Sequence, residues 1–153
     1  VVFRVPKKGK AVMTVQEIHN SLKLLKSKRK EIIELKEQIA EAATYIHSSS
    51  WSSPKVTGGM PISPQERYLE RVERLQKQYD RVFDEYSDLH YQMLELMNPL
   101  DAFDWTVILN RFFRGMSMKR TAEDMEYSVE YIKKCQAEAI KQMSEYSEAP
   151  PPK

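Results

Sequence analysis

The stretch YLERVERLQKQYDRVFDEYSDLHYQMLEL, Tyr68 to Leu96, decides the fold. Apolar side chains recur at Tyr68, Val72, Leu75, Tyr79, Val82, Tyr86, Leu89, Met93 and Leu96, alternately four and three residues apart. That spacing holds one seam on one side of a long helix and asks for a helical partner along it. The d-like positions are Tyr68, Leu75, Val82, Leu89 and Leu96; the a-like positions are Val72, Tyr79, Tyr86 and Met93. Tyrosine is wide for a two-stranded leucine zipper, so an antiparallel hairpin or a multi-helix bundle suits the seam better. The start is marked by Ser63-Pro64-Gln65-Glu66, a capping box with Pro in the first turn, and the stop by Asn98-Pro99.

Upstream, Thr14-Val15-Gln16-Glu17 is a second capping box. It opens a helix whose Ile18, Leu22, Leu25, Ile32, Leu35, Ile39, Ala42 and Ile46 share a face, interrupted at Lys28 and Arg29. Residues 1–13 are basic, without a helical stripe, and read as a flexible segment, with Met13 a candidate natural start. Residues 48–62 hold Ser, Gly and Pro and read as a flexible linker, cut by protease near Lys55. The tail, 147–153, is expected to be disordered. The expected organisation is therefore a helix over 14–47, the linker 48–62, a coiled-coil-type helix over 63–98 and a compact helical domain over 99–146.

Within 99–146 the periods shorten. Phe103, Trp105, Val107, Ile108 and Phe112 form an apolar helix over Phe103–Phe113 that Gly115 ends. Ser117 caps a two-turn helix reaching Met125. A turn at Glu126-Tyr127-Ser128 leads to a Ser-capped helix over 128–146 with Ile132, Cys135 and Ala139 inward. Small Ala122 suits a close crossing of these two helices. The fold class is all-α: a long helical hairpin or coiled coil followed by a helix-turn-helix, the layout of a DNA-binding regulator.

Composition narrows the chemistry. Charged residues make up 30% of the chain and Gly only 4 positions, which favours long helices. No apolar run is long enough for a transmembrane helix, and no membrane partner is expected. The single Cys135 excludes an intrachain disulfide and suits a reducing cytoplasm. One Cys with three scattered His gives no zinc pattern, so no metal and no cofactor is expected. No Gly-rich phosphate loop or nucleophile elbow occurs, and Asp101, Asp104, Glu123 and Asp124 read as caps and exposed helix positions. No catalytic residue, enzymatic activity or small-molecule substrate is expected. His90 reads as a surface residue of the long helix and Cys135 as a small buried filler. Net charge is +2 but segregated: +6 over residues 1–60, −5 over 61–104 and +1 over 105–153. Lys26-Ser27-Lys28-Arg29-Lys30 reads as a solvated helix face, with phosphate or partner contact as the alternative.

Residues 61–143 resemble phage and prophage transcriptional regulators of the ArpU/RinA type, related here to the sigma-factor region 4 helix-turn-helix. The resemblance lies in Arg111-Phe112-Phe113-Arg114-Gly115, Ala122, Tyr127-Ser128 and the helix Val129–Met143. It implies sequence-specific binding of double-stranded DNA and control of late phage genes, with contact to RNA polymerase. It also implies work in the cytoplasm of a bacterial host, at the nucleoid. Where the family pattern has Gly at the first turn residue, this chain has Glu126, and a left-handed Glu there costs roughly 1–2 kcal/mol. The short helix carries Met118-Lys119 where the pattern has an aromatic or Thr.

On this reading the last helix enters the major groove. Glu130, Tyr131 and Lys134 face base edges, Glu130 as an acceptor from a cytosine amino group. Arg114, Lys119, Arg120, Ser128 and Lys133 are assigned to phosphates, Ser128 through N–H groups at the helix N-terminus. The seam from Tyr68 to Leu96 mediates hairpin or homo-oligomer contacts, a dimer favoured. The rival reading is a coiled-coil adaptor that grips a host or phage protein and binds no specific DNA; Glu126, Glu130 and the weak local charge point that way.

Overall fold

The computed structural model describes residues 12–48 and 63–148, and its described residues are helical without strands. The elements are α1 (Val15–Ser48), α2 (Pro64–Leu96), α3 (Ala102–Ile108) running into a π-helical turn (Leu109–Phe113), α4 (Met118–Met125) and α5 (Val129–Glu148). The Ser63 capping box closes both ways, Ser63 Oγ accepting from the Glu66 N–H at 3.2 Å and Glu66 Oε2 from the Ser63 N–H at 3.3 Å; at Thr14 the cap forms, Oγ1 accepting from the Glu17 N–H at 3.1 Å, but Glu17 Oε1 accepts from the Thr14 hydroxyl at 3.1 Å. Among the described residues no helix is long and apolar enough to cross a membrane.

The described residues of Val1–Lys30 and Asp84–Lys153 form one compact unit, and those of Glu31–Phe83 a second. The first unit reaches beyond the 99–146 segment set off in the sequence. One core joins Ile18, Leu22 and Leu25 of α1, Met93 and Leu96 of α2, Met97, Ile108, Phe112 and Phe113, and Ala139, Ile140 and Met143 of α5. Within this unit α1 and α2 run antiparallel. Gln92 Nε2 reaches Met13 Sδ at 3.5 Å, and Lys28 pairs with Glu85 a few turns along. A smaller core joins Val107, Ala122 and Ile132, with Phe103, Met118, Met125, Val129 and Cys135 packed on it.

The second unit buries Ile32, Leu35 and Ala42 of α1 and Val82 of α2. Its other seam residues, Tyr68, Val72, Leu75 and Tyr79, are half-buried, and Tyr79 stacks on Phe83 with ring centroids 5.8 Å apart. Burial along the α2 seam is therefore most complete toward its C-terminal end, at Val82, Met93 and Leu96.

Several expectations change. Of the stretches read as flexible, residues 1–11, 49–62 and 149–153 lie outside the described residues. Met13 does not belong with them: it is buried, its N–H donates to Ser147 Oγ at 3.0 Å, and its carbonyl accepts from Ser144 Oγ at 2.7 Å. The same contacts extend α5 through Ser147, which is buried rather than part of a loose tail. Trp105 is exposed, because α3 turns Val107 and Ile108 inward instead. His90 is half-buried, its ring edge-on to Phe113 at 5.0 Å and tilted on Tyr86 at 5.4 Å. Cys135 is half-buried against the smaller core.

Two measurements check this packing. Met93 has no exposed surface, so Met93→Ala should cost about 2–5 kcal/mol in chemical denaturation. Leu69→Ala, at a 48% exposed position of the same helix, should cost less than about 0.5 kcal/mol. Burial also holds His90 below its ordinary 6.5. Below that value the unfolded chain binds the proton more readily than the folded one, so stability is full above pH 6.5 and falls as pH drops through and below it. Denaturation midpoints at mildly acidic and neutral pH should show that fall, and His90→Phe should shrink it.

Candidate nucleic-acid interface

The bihelical unit is built by local signals. Gly115, at φ 72°, breaks the chain out of the π turn, and Ser117 caps α4 by accepting from the Arg120 N–H at 3.1 Å. Glu126 ends α4 in the left-handed conformation, φ 61° and ψ 41°, the one non-glycine with positive φ among the described residues. The Tyr127 N–H reaches the Ala122 carbonyl at 3.0 Å and the Glu126 N–H the Glu123 carbonyl at 3.2 Å. This is a Schellman ending, in which the left-handed position normally takes Gly. Ser128 caps α5, its Oγ accepting from the Tyr131 N–H at 3.2 Å. Ala122 and Ile132 are buried where α4 and α5 pack together.

With Ile132, Ala139, Ile140 and Met143 buried, α5 turns Glu130, Lys134, Ala137 and Lys141 to solvent. Glu130, Tyr131 and Lys134 are all exposed, but Tyr131 is engaged. Its ring stacks on Tyr127 at 4.9 Å and tilts on Phe103 at 5.7 Å. The neighbouring Cys135 thiol leads the causes raising the Tyr131 pKa. Burial leads those raising the Cys135 thiol. Of the residues assigned to phosphates, Arg114, Lys119, Arg120, Ser128 and Lys133 are exposed. Arg114 is oriented by a 2.8 Å bond from Nη1 to Asn110 Oδ1, and Lys133 lines a shallow cleft with Val15, His19, Met118 and Gln136.

The two flanks of α5 differ in charge. On one, Asp104 is buried, and its pKa is raised by that burial and by the nearby carboxylates of Asp101 and Glu138. Asp101 caps α3, accepting from the Asp104 N–H at 2.8 Å, and the Phe103, Tyr127 and Tyr131 rings lie on the same flank. On the other flank is Arg111, a site residue that no local sequence pattern marks. Its Nε donates to Gln136 Oε1 at 3.1 Å and its Nη1 to the Met116 carbonyl at 2.7 Å. Burial lowers the Arg111 pKa. Burial and then the Arg111 charge lower Lys26; burial, Lys23 and Arg111 lower His19.

The π turn itself was not foreseen. The Arg114 N–H reaches the Leu109 carbonyl at 2.8 Å and the Met116 N–H the Asn110 carbonyl at 2.8 Å. Asn110 and Thr121 are fully buried, and Asn110 Nδ2 and Thr121 Oγ1 have no partner. Among the described residues no group of three or more His, Cys, Asp and Glu is placed to hold a metal. The chain matches no family model, no curated protein and no solved structure.

Glu126→Gly should raise stability by about 1 kcal/mol, since Gly adopts the left-handed ending without a Cβ clash. Equal or lower denaturation midpoints in the variant would show that Glu126 is not strained.

Proposed function

We propose that this protein is a DNA-binding transcription regulator that lays α5 in the major groove, acting on phage or prophage genes, with RNA polymerase as a protein contact. The observation that carries the reading is the α4–turn–α5 unit. One side of α5 is locked by two cores, while Glu130, Lys134, Ala137 and Lys141 remain exposed along the face that a recognition helix presents to base edges. Lys134 suits guanine and Glu130 suits the cytosine amino group. Lys119 and Arg120 in the first turn of α4, Arg114, Lys133 and the capped N-terminus of α5 at Ser128 lie at positions suited to phosphates. Pairing of two copies through the half-covered seam around Val72, Leu75 and Tyr79 belongs to the same proposal, since dimers read two half-sites. Its setting is the cytoplasm of a bacterial cell.

The acidic, aromatic flank supports a second reading, an adaptor for a basic protein surface. From Asp84 to Glu148 the chain holds 7 Lys and Arg against 13 Asp and Glu. Selection from a random duplex pool separates the two: enrichment of a common sequence supports the regulator, and no enrichment supports the adaptor.

On an enriched site, Lys134→Ala should cost roughly 1–3 kcal/mol while sparing random duplex. Lys119→Ala or Arg120→Ala should weaken all duplexes alike and lower the slope of log affinity against log salt by about one unit each. A folded Lys134→Ala variant that keeps full site preference would remove α5 from recognition.

A further inference from the structure

We propose that the first four turns of α1 form a phosphate track, in which His19, Lys23, Lys26 and Lys30, joined by Arg111 and Lys133, receive one strand's backbone of the duplex that α5 reads. The inference rests on the DNA-binding reading and adds to it an element outside the helix-turn-helix.

The spacing is the first argument. His19, Lys23, Lys26 and Lys30 fall within an arc of about 60° on α1, beside the buried stripe of Ile18, Leu22 and Leu25. They extend over roughly 16 Å of helix, long enough to meet several phosphates of one strand. Packing then fixes this face beside α5. The His19 ring stands edge-on to Phe112 at 6.1 Å, and His19 shares its cleft with Lys133. Arg29 Nη1 lies 3.3 Å from where a Cβ on Gly115 would sit, which ties α1 to the link before α4. Arg111 is anchored to Gln136 of α5.

Charge is the second argument. Between Val15 and Lys30 the only acid is Glu17, against Lys23, Lys26, Lys28, Arg29 and Lys30. Lys28 points the other way and pairs with Glu85; among the described residues no ion pair holds Lys23, Lys26 or Lys30. Beyond Lys30 the helix turns acidic at Glu31, Glu34, Glu37 and Glu41. The repulsion that Arg111 exerts on His19 and Lys26 is what a bound polyanion relieves. Since residues 84–148 are acidic in sum, a duplex approaching α5 meets its main attraction on this side.

The test is anisotropy titration of the full chain with a fluorescein-labelled random duplex of about 25 base pairs, from about 50 to 300 mM KCl. The double variant Lys23→Gln, Lys26→Gln should lower the slope of log affinity against log salt by about two units, and Lys30→Gln alone by about one. The double variant Lys36→Gln, Lys77→Gln removes the same charge from exposed positions of the other unit and should leave the slope unchanged. Melting curves report that each variant is folded. An unchanged slope in the track variants, or an equal loss in the Lys36 and Lys77 pair, overturns the track. If Lys119→Ala and Arg120→Ala lower the slope while the track variants do not, the DNA-binding reading stands and the track falls. If the unmodified chain binds no duplex at any salt, both fall.

Discussion

The structure of the first unit depends on burying the start of α1. Ile18, Leu22 and Leu25 have no exposed surface, and they share a core with Phe112 and with Ala139 and Met143 of α5. Each of these aliphatic side chains contributes roughly 1.5–3 kcal/mol by leaving water. A short trihelical segment with Val107, Ala122 and Ile132 as its own buried centre has little such burial to draw on. The α4–turn–α5 unit is therefore held by α1 and the end of α2. Met13 closes the arrangement: its backbone bonds to Ser144 and Ser147 hold the chain entering α1 against the last turns of α5.

The π turn is the second constraint. One added residue in a helix rotates everything after it by about 100° relative to an α-helical continuation. Here the wider turn lets adjacent Phe112 and Phe113 both reach the core. It leaves Arg111 half-buried and tied down, and Arg114 at the surface. The cost is visible at Asn110, whose side chain is buried with its amide nitrogen unpaired although its oxygen accepts from Arg114. Short π segments of this kind concentrate at functional positions, and this one orients two of the cations nearest α5.

Much of this was legible in the sequence because it is local. The long helix α2, the capping box at Ser63, and the caps at Thr14, Ser117 and Ser128 each follow from residues within one or two turns, and each is found. So is the outward face of α5 at Glu130, Tyr131, Lys133, Lys134 and Ala137. The unforeseen features are long-range or break a period. A 3.6-residue stripe over Phe103–Phe113 hides the π turn and drew Trp105 inward. Nothing near Met13 announces Ser144, which lies 131 residues away. Arg111 and the α1 cations become neighbours only when the core closes. The one hint was the basic run Lys26-Ser27-Lys28-Arg29-Lys30, whose alternative to a solvated face is phosphate or partner contact.

The electrostatics follow from that closure. Taken alone, residues 105–153 carry a net charge of +1, too little to argue for a polyanion. Folding changes which charges count. It sets the acid-poor start of α1 beside Arg111 and Lys133 and gathers Asp101, Asp104 and Glu138 on the opposite flank. Interactions between exposed charges fade over about 8–10 Å at moderate salt, so a phosphate near Lys133 senses His19 and Arg111 far more than the carboxylates across α5. A nearly neutral chain in this way carries a basic face and an acidic, aromatic face on the two sides of one helix. Both faces share α5, so on the proposed DNA-binding reading a duplex held on the basic side limits access to the acidic one.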